Sequence, residues 1–163
     1  MTAALLAYVV IERLLELVIS RRNTHRLMAE GAEEIGADHY PFMVAMHVSW
    51  LTAIVLWVWT LPHDLNVPFV VLYLLLQPFR FWVMASLGRY WTTRVITPPD
   101  APLIRRGPYR FMRHPNYVVV VLEIVTLPLV FGAWPLAAVF SLLNAAMLWV
   151  RIRAENQALT ARG

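Results

Sequence analysis

Long apolar stretches alternate with short arginine-rich stretches along the chain. A helix that crosses a bilayer needs about 20 mostly apolar residues, and several segments approach that length. The first carries acidic residues in mid-span, and we do not expect it to be a cleavable signal. The last two meet at Gly132-Ala133, so we expect them to form a tight helical hairpin. The pattern predicts membrane-spanning helices at residues 3–20, 42–61, 68–87, 117–131 and 134–150.

Composition excludes an ordinary soluble protein. Hydrophobic residues make up 60% of the chain and charged residues 15%, whereas soluble domains average about 45–50% and about 25%. A soluble fold of 163 residues could not bury so much apolar surface. Cysteine is absent, which excludes disulfides and cysteine-based metal sites, and the five histidines are scattered, so we expect no metal. The sequence predicts an all-α integral membrane protein with one membrane domain over residues 1–163.

The arginines predict the orientation of this domain. The net charge is +4, and every basic residue is an arginine. Apart from Arg13 and Arg80, these arginines lie in the loop after the first segment, the loop at residues 88–116 and the tail at 151–163. Basic loops stay in the cytoplasm, so we expect the N-terminus outside and the C-terminus in the cytoplasm. With this hydropathy, the basic charge indicates a membrane surface rather than nucleic acid.

Polar residues inside the predicted spans all lie in the half that adjoins the arginine-rich loops. A charge at this depth costs at least about 2.5–3.5 kcal/mol, so each must find a partner or a wet cavity. One interpretation is internal pairing, with Glu12 and Glu16 bound to arginine and Glu123 to Asn144. The one-sided distribution favours a polar cavity open to the cytoplasm, and it disfavours a channel. The residues are Glu12, Arg13, Glu16, His47, Arg80, Glu123 and Asn144.

The loop at residues 88–116 contains the densest polar chemistry. Its glycines and prolines argue against a continuous helix. Pro115 suits the first turn of the fourth helix, whose free N–H groups favour an anion. The tail continues the fifth helix, and the hairpin brings it back beside the loop. We therefore expect one neighbourhood that contains Arg113, His114, Tyr117, Arg151 and Glu155.

Two separated blocks resemble a known family. Arg113-His114-Pro115-x-Tyr117, followed by a helical hairpin and Arg151-Ile-x-x-Glu155, resembles the isoprenylcysteine carboxyl methyltransferase-like family of integral-membrane enzymes. The N-terminal half looks like a small bacterial branch, some members of which are associated with type III polyketide synthases. The resemblance implies S-adenosylmethionine as cofactor and a multi-pass protein of a bacterial-type plasma membrane, with its active site facing the cytoplasm.

The resemblance also implies roles for individual residues. His114, Tyr117 and Glu155 would hold the cofactor, with support from Arg113 and Arg151. Aromatic faces favour its sulfonium, and Tyr117, Tyr109 and Trp91 are the candidates. His114 is one candidate for a catalytic base, and a membrane-facing acid, Glu123 foremost, is another. The acceptor would be bound by Glu12, Glu16, Arg80 and Trp91.

We expect the acceptor to be lipophilic, with an alkylresorcinol or alkylpyrone type of phenol or enol favoured. Carboxyl methylation of a prenylcysteine-like substrate and N-methylation of a phospholipid are the alternatives within the family. The prenylcysteine enzymes usually have a Glu-Glu pair and continue beyond it, whereas this chain has Glu155-Asn156 and ends at Gly163. Outside the family, an NADPH-dependent sterol-type reductase and a non-enzymatic membrane subunit remain open. The expected partners are the lipophilic substrate and membrane lipid, and the sequence leaves the oligomeric state undetermined.

Overall fold

The described part of the chain folds into five α-helices, a two-stranded sheet and two short 3₁₀ helices. The structure is a computed structural model that describes residues 2–99 and 104–160, with side chains only as far as residue 156. Residues 100–103 of the predicted loop and residues 161–163 of the predicted tail lie outside the described residues. The helices are α1 (Thr2–Ala29), α2 (Tyr40–Thr60), α3 (Val67–Leu87), α4 (Pro115–Val130) and α5 (Trp134–Thr160), and the strands are β1 (Glu33–Ile35) and β2 (Val95–Thr97).

The five predicted helices are confirmed, and most of their ends lie close to the predicted ones. α5 continues ten residues beyond the predicted span, as expected for a tail that extends this helix, and α1 continues nine residues beyond the predicted end at Ser20. No glycine or proline interrupts the chain before Gly31, where a backbone φ of +85° permits the turn that ends the helix. Arg21, Arg22 and Arg26 therefore lie on the last turns of α1 and not in a loop.

The helices have the character of a multi-pass membrane protein. Among the described residues, α2, α3 and α5 are long and apolar enough to cross a bilayer. α4 is apolar but shorter, at 16 residues, and α1 carries Glu12, Arg13 and Glu16 in its middle. Large apolar side chains such as Leu142 and Trp59 are exposed on the outer surface, as expected for helices that face lipid.

The turn between α4 and α5 is the predicted hairpin. Gly132 has a φ of +66°, and the Ala133 N–H donates to the Pro128 carbonyl at 3.0 Å. This is the turn geometry by which a helix ends on a left-handed glycine. α4 consequently packs against both α3 and α5. The apolar core beside this turn includes Ile54, Tyr73, Leu127, Phe131 and Phe140.

A short antiparallel sheet, which was not predicted, joins the segment after α1 to the segment after α3. Glu33 pairs with Thr97 and Ile35 with Val95. Each strand has only three residues, too few for an alternating pattern to be recognised in the sequence. The sheet fixes the loop that begins at Gly88 against the end of α1. It therefore holds one wall of the site described below.

Candidate active site

Three of the predicted cofactor residues lie together where α4 begins and α5 ends. Pro115 occupies the first turn of α4, as expected for a residue without an N–H group, and this places His114 and Tyr117 on the same side. The Tyr117 hydroxyl donates a 2.8 Å hydrogen bond to Glu155 Oε2. His114 Nδ1 is 3.5 Å from the same oxygen, and the two rings stack at 5.3 Å and 13°. Glu155 therefore accepts a hydrogen bond from Tyr117 and lies close to the His114 ring.

Tyr109 borders this cluster, whereas Arg113 does not join it. A 3₁₀ helix at Gly107–Arg110 places Tyr109 beside Glu155. Burial, and then the negative charge of Glu155, raise the pKa of the Tyr109 phenol, so it stays a neutral hydrogen-bond donor. Arg113 is exposed to solvent. Among the described residues, no hydrogen bond, ion pair or ring contact joins its side chain to the cluster, so its predicted support of the cofactor stays a prediction.

Arg151 lies beside Tyr117 on the inner side of the cluster. It is 6% exposed, and its guanidinium carbon is 5.7 Å from the centre of the Tyr117 ring. Nη1 donates to the Thr93 carbonyl at 2.9 Å and contacts Met43 Sδ at 2.6 Å. Nε is buried and has no hydrogen-bond partner among the described residues. A buried N–H without an acceptor is costly, and this one indicates a place where an anionic group can bind.

A cavity of about 200 Å³ extends from Arg151 into the bundle. It lies in the half of the bundle beside the α3–α4 loop, and its walls come from all five helices. Tyr117, Trp91 and Arg151 line its outer part, whereas His114 and Glu155 lie behind Tyr117 and do not line it. Among the predicted cofactor residues, Tyr117 and Arg151 therefore face the cavity, whereas His114 and Glu155 support Tyr117 from behind.

A network of buried ion pairs, the charged cluster, closes the inner end of this cavity. Arg80 binds Glu16, at 2.5 Å through Nη2, and Glu123 at 2.6 Å. Arg13 is 3.0 Å from both of these acids and 3.2 Å from Glu12. Three carboxylates and two guanidinium groups leave one formal negative charge. Glu123 thus pairs with arginine and with Gln77, not with Asn144 as one interpretation proposed.

Residues of α1, α2 and the α3–α4 loop complete the walls, and they were missing from the predicted site. Asn23 donates to the Trp91 carbonyl at 2.8 Å, and Ser20 and Tyr40 bond the Thr93 hydroxyl at 2.8 and 3.0 Å. The only sequence signal for them is the run of small polar residues at 92–93 beside Trp91. Further residues that line the cavity include Tyr40, Met43, Thr92, Thr93, Asn116 and Met147, together with His47 and Asn144, which the sequence had indicated as polar positions of a cavity.

Two uncharacterized bacterial proteins are similar to this chain over most of its length. An uncharacterized protein of Bacillus subtilis, YpbQ, is 37% identical over 158 residues, which cover 95% of this chain and 94% of that protein. An uncharacterized protein of Haemophilus influenzae is 25% identical over 156 residues, which cover 91% and 88%. No solved structure matches the chain.

The family of the chain follows from its C-terminal part. The profile of the isoprenylcysteine carboxyl methyltransferase (ICMT) family matches residues 69–161, more than half of the sequence. That range contains both blocks that carried the resemblance, together with Arg80, Trp91 and Glu123. The association with polyketide synthases stays a prediction. The protein therefore belongs to the isoprenylcysteine carboxyl methyltransferase family, which indicates a membrane methyltransferase.

Proposed function

We propose that this protein transfers a methyl group from S-adenosylmethionine to the hydroxyl of a lipophilic phenol or enol. One observation carries the proposal: a single cavity joins a cationic and aromatic mouth, Arg151 with Tyr117, to a net-negative charged cluster within apolar helices. The mouth suits the cofactor, and the interior suits an uncharged acceptor with a long apolar chain. Family membership favours this activity over a reductase and over a non-enzymatic subunit.

The residues at the mouth fit the methionine end of the cofactor. Its carboxylate needs a cation, and Arg151 offers a buried N–H that has no other acceptor among the described residues. Its ammonium needs an acid, and Glu155 is half-buried beside the Tyr117 hydroxyl. Tyr117 and Trp91 offer aromatic faces that favour a sulfonium. When bound, the cofactor supplies a methyl group on a positively charged sulfur, which makes the methyl carbon electrophilic.

The charge of the inner end favours a neutral acceptor. Both arginines there are engaged by acids, so a carboxylate would find no free cation in the cluster. Burying a charge without a partner is costly, so a prenylcysteine-like carboxylate is disfavoured. A neutral hydroxyl brings no further charge to this end of the cavity, which Glu16 and Glu123 line.

A phospholipid amine is the second candidate, because an ammonium would also suit a net-negative cluster. The position of the cluster argues against it, since Glu16, Arg80 and Glu123 lie well inside helices of a membrane protein. A lipid head group would have to leave the interface to reach them, at the cost of burying its charge. A phenol or enol pays no such cost.

We further propose that the cavity mouth faces the cytoplasm. Arg89, Arg94, Arg105 and Arg106 lie on the loop beside the mouth, and loops of this composition stay in the cytoplasm. S-adenosylmethionine is then drawn from the aqueous side, while the chain of the acceptor occupies the apolar interior. The part of the chain that turns toward the other side, around Gly132, has no arginine.

The test is an acceptor screen with the purified protein in detergent and radiolabelled S-adenosylmethionine. Long-chain alkylphenols, a prenylated cysteine and phosphatidylethanolamine are compared at equal concentration. We expect label to enter the alkylphenol at least tenfold faster than the other two. Calorimetric binding of S-adenosylhomocysteine is measured in parallel. Transfer to the amine alone, or to the carboxylate alone, would refute the proposed acceptor, and absence of cofactor binding would refute the methyltransferase itself.

A further inference from the structure

His47, which the sequence did not single out for chemistry, lies on the wall of the cavity between the mouth and the charged cluster. We infer that His47 is the general base that accepts the proton of the acceptor hydroxyl. The inference rests on the proposed function, since only a hydroxyl acceptor needs a base. His47 is one of the residues of α2 that line the cavity, one turn after Met43.

The hydrogen bond of His47 fixes which nitrogen can act. Nδ1 is 2.9 Å from the backbone carbonyl of Met43. A carbonyl oxygen can only accept, so Nδ1 carries the hydrogen, and in the neutral ring Nε2 has the free lone pair. Within the described part of the chain, neither an acid nor any other hydrogen-bond partner contacts Nε2. The ring is therefore held in the tautomer that a base needs.

The two bases that the sequence suggested are less well suited. His114 does not line the cavity, and its Nδ1 faces Glu155. Glu123 lines the cavity, but Oε1 accepts from Arg13 and Gln77 and Oε2 accepts from Arg80. A carboxylate with both oxygens bound to guanidinium groups is a weak base. His47 offers the lone pair that these two residues do not.

The proposed reaction moves one proton to His47 and one methyl group to the acceptor oxygen. The acceptor O–H bond breaks, and its proton moves to Nε2 of His47. The acceptor oxygen uses its electron pair to bond the methyl carbon while the carbon–sulfur bond breaks, and sulfur keeps that bonding pair as a neutral thioether. The imidazolium then returns its proton to water at the mouth.

Other titratable and charged groups share the cavity with His47. They are Arg13 and Glu16 on α1, Tyr40 on α2, Arg80 on α3, Tyr117 and Glu123 on α4, and Arg151 on α5.

The main variant is His47→Asn, because the asparagine amide can still donate to the Met43 carbonyl while the Nε2 base is lost. The matched control is His63→Asn. His63 lies just beyond the other end of α2, outside the cavity, and its Nδ1 is likewise 3.1 Å from a backbone carbonyl, that of Leu61. Thermal unfolding and S-adenosylhomocysteine binding are measured for both variants. If His47→Asn does not fold, His47→Gln replaces it.

The decisive comparison uses two acceptors of the same chain length, an alkylphenol and a nitro-substituted alkylphenol that ionises near neutral pH. General-base catalysis contributes about 10²–10⁴-fold. We expect His47→Asn to lower turnover of the alkylphenol at least 100-fold and that of the nitrophenol less than tenfold. The difference in alkylphenol turnover between wild type and His47→Asn should also shrink as the pH rises toward the pKa of the phenol, about 10 by analogy with tyrosine.

A second readout does not depend on turnover. The nitrophenol is titrated with pH in the presence of S-adenosylhomocysteine, and its phenolate is followed by visible absorption. In the wild type a proton can move to His47, so the bound phenolate should form at a lower pH than in His47→Asn. An equal loss for both acceptors, or identical titrations, would overturn the role of His47. Cofactor binding without methylation of any phenol would overturn it together with the proposed acceptor, whereas loss of cofactor binding in the wild type would refute the proposed function itself.

Discussion

The Tyr117 hydroxyl and Glu155 Oε2 form a 2.8 Å hydrogen bond that joins the first turn of α4 to the end of α5. The two residues are 38 positions apart in sequence, and the hairpin at Gly132 brings them together. The bond orients the Glu155 carboxylate beside the cavity mouth. It also fixes the Tyr117 ring between His114 and Arg151.

Replacing Glu155 by glutamine should weaken cofactor binding without unfolding the protein. The amide keeps the size of the side chain and can still accept from Tyr117, but it offers no charge to an ammonium group. A charge-assisted hydrogen bond contributes about 1.5–3 kcal/mol, so we expect about 10–100-fold weaker binding of S-adenosylhomocysteine by calorimetry. Glu33→Gln, on the exposed part of β1, is the matched control. Equal affinities for the two variants would remove Glu155 from the site.

Arg151→Lys should separate charge from geometry at the cavity mouth. Lysine keeps the positive charge but cannot donate from Nε and Nη1 in the fixed planar arrangement of arginine. We expect about tenfold weaker cofactor binding and a similar loss in kcat/KM, with little change in Tm. Arg153→Lys provides the control, since Arg153 stacks on Trp149 at 3.6 Å and does not line the cavity. An Arg151→Lys variant with wild-type affinity would show that the unpartnered Nε is not used.

Sequence reasoning was most successful where the signal was local. Hydropathy located all five helices, and Gly132 located the hairpin that unites Tyr117 with Glu155. Sequence reasoning was less successful where pairing between distant segments decides the structure. The sheet that pairs Ile35 with Val95 depends on two segments far apart in sequence. Three residues per strand are too few to show an alternating pattern of apolar and polar residues.

The assignment of partners inside the membrane shows the same limit. The polar positions were recognised because a charged side chain inside a membrane span is energetically costly. Hydropathy, however, does not determine which acid faces which arginine. The rotation of α4 relative to α3 decides that Glu123 faces Arg80. His47 was recognised as a polar position inside a span but was given no catalytic role, because a lone histidine there carries no motif. Its role becomes visible only when its Nδ1 partner and its cavity are known.

The phenol of Tyr109 should make the protein sensitive to alkaline pH. Burial and the charge of Glu155 raise its pKa above the ordinary value of about 10. Above that pH the unfolded chain loses the Tyr109 proton while the folded protein still holds it. The free energy of unfolding therefore has its full value below about pH 10 and falls as the pH rises.

Thermal unfolding at pH 9 and pH 11 tests this sensitivity. Tyr109→Phe should reduce the drop in Tm between the two values, because it removes the group that is forced to stay protonated. Tyr90→Phe is the control, since Tyr90 accepts from Arg89 at the surface and does not belong to this cluster. A drop in Tm that is the same in wild type and Tyr109→Phe would contradict the prediction.

The charged cluster should respond to its charge balance more than to any single contact. Arg80→Met leaves Glu16 and Glu123 with Arg13 as their one remaining shared arginine among the described residues, and breaking a buried pair costs about 3–5 kcal/mol. Adding Glu123→Gln restores the net charge of the cluster, so the double variant should regain part of the lost Tm. Arg89→Met is the comparison at the surface, where the pair with Glu30 contributes about 0–1 kcal/mol. A double variant less stable than Arg80→Met would refute the charge argument.

Gly107 should be the least replaceable residue of the loop that leads to Tyr109. Its φ is +55°, and a Cβ at this position would overlap Ser86 Oγ and lie 3.1 Å from Trp82 Nε1. Gly31→Ala is the matched control, because Gly31 has a φ of +85° and open space around the added carbon. Both alanines suffer the left-handed backbone strain of about 1–2 kcal/mol, but only Gly107→Ala also displaces Ser86. We therefore expect a larger drop in Tm for Gly107→Ala, together with weaker S-adenosylhomocysteine binding as Tyr109 moves. Ser86→Ala in the same chain removes the overlapping Oγ and should recover part of the excess over Gly31→Ala. No recovery would mean that this overlap is not what fixes the loop.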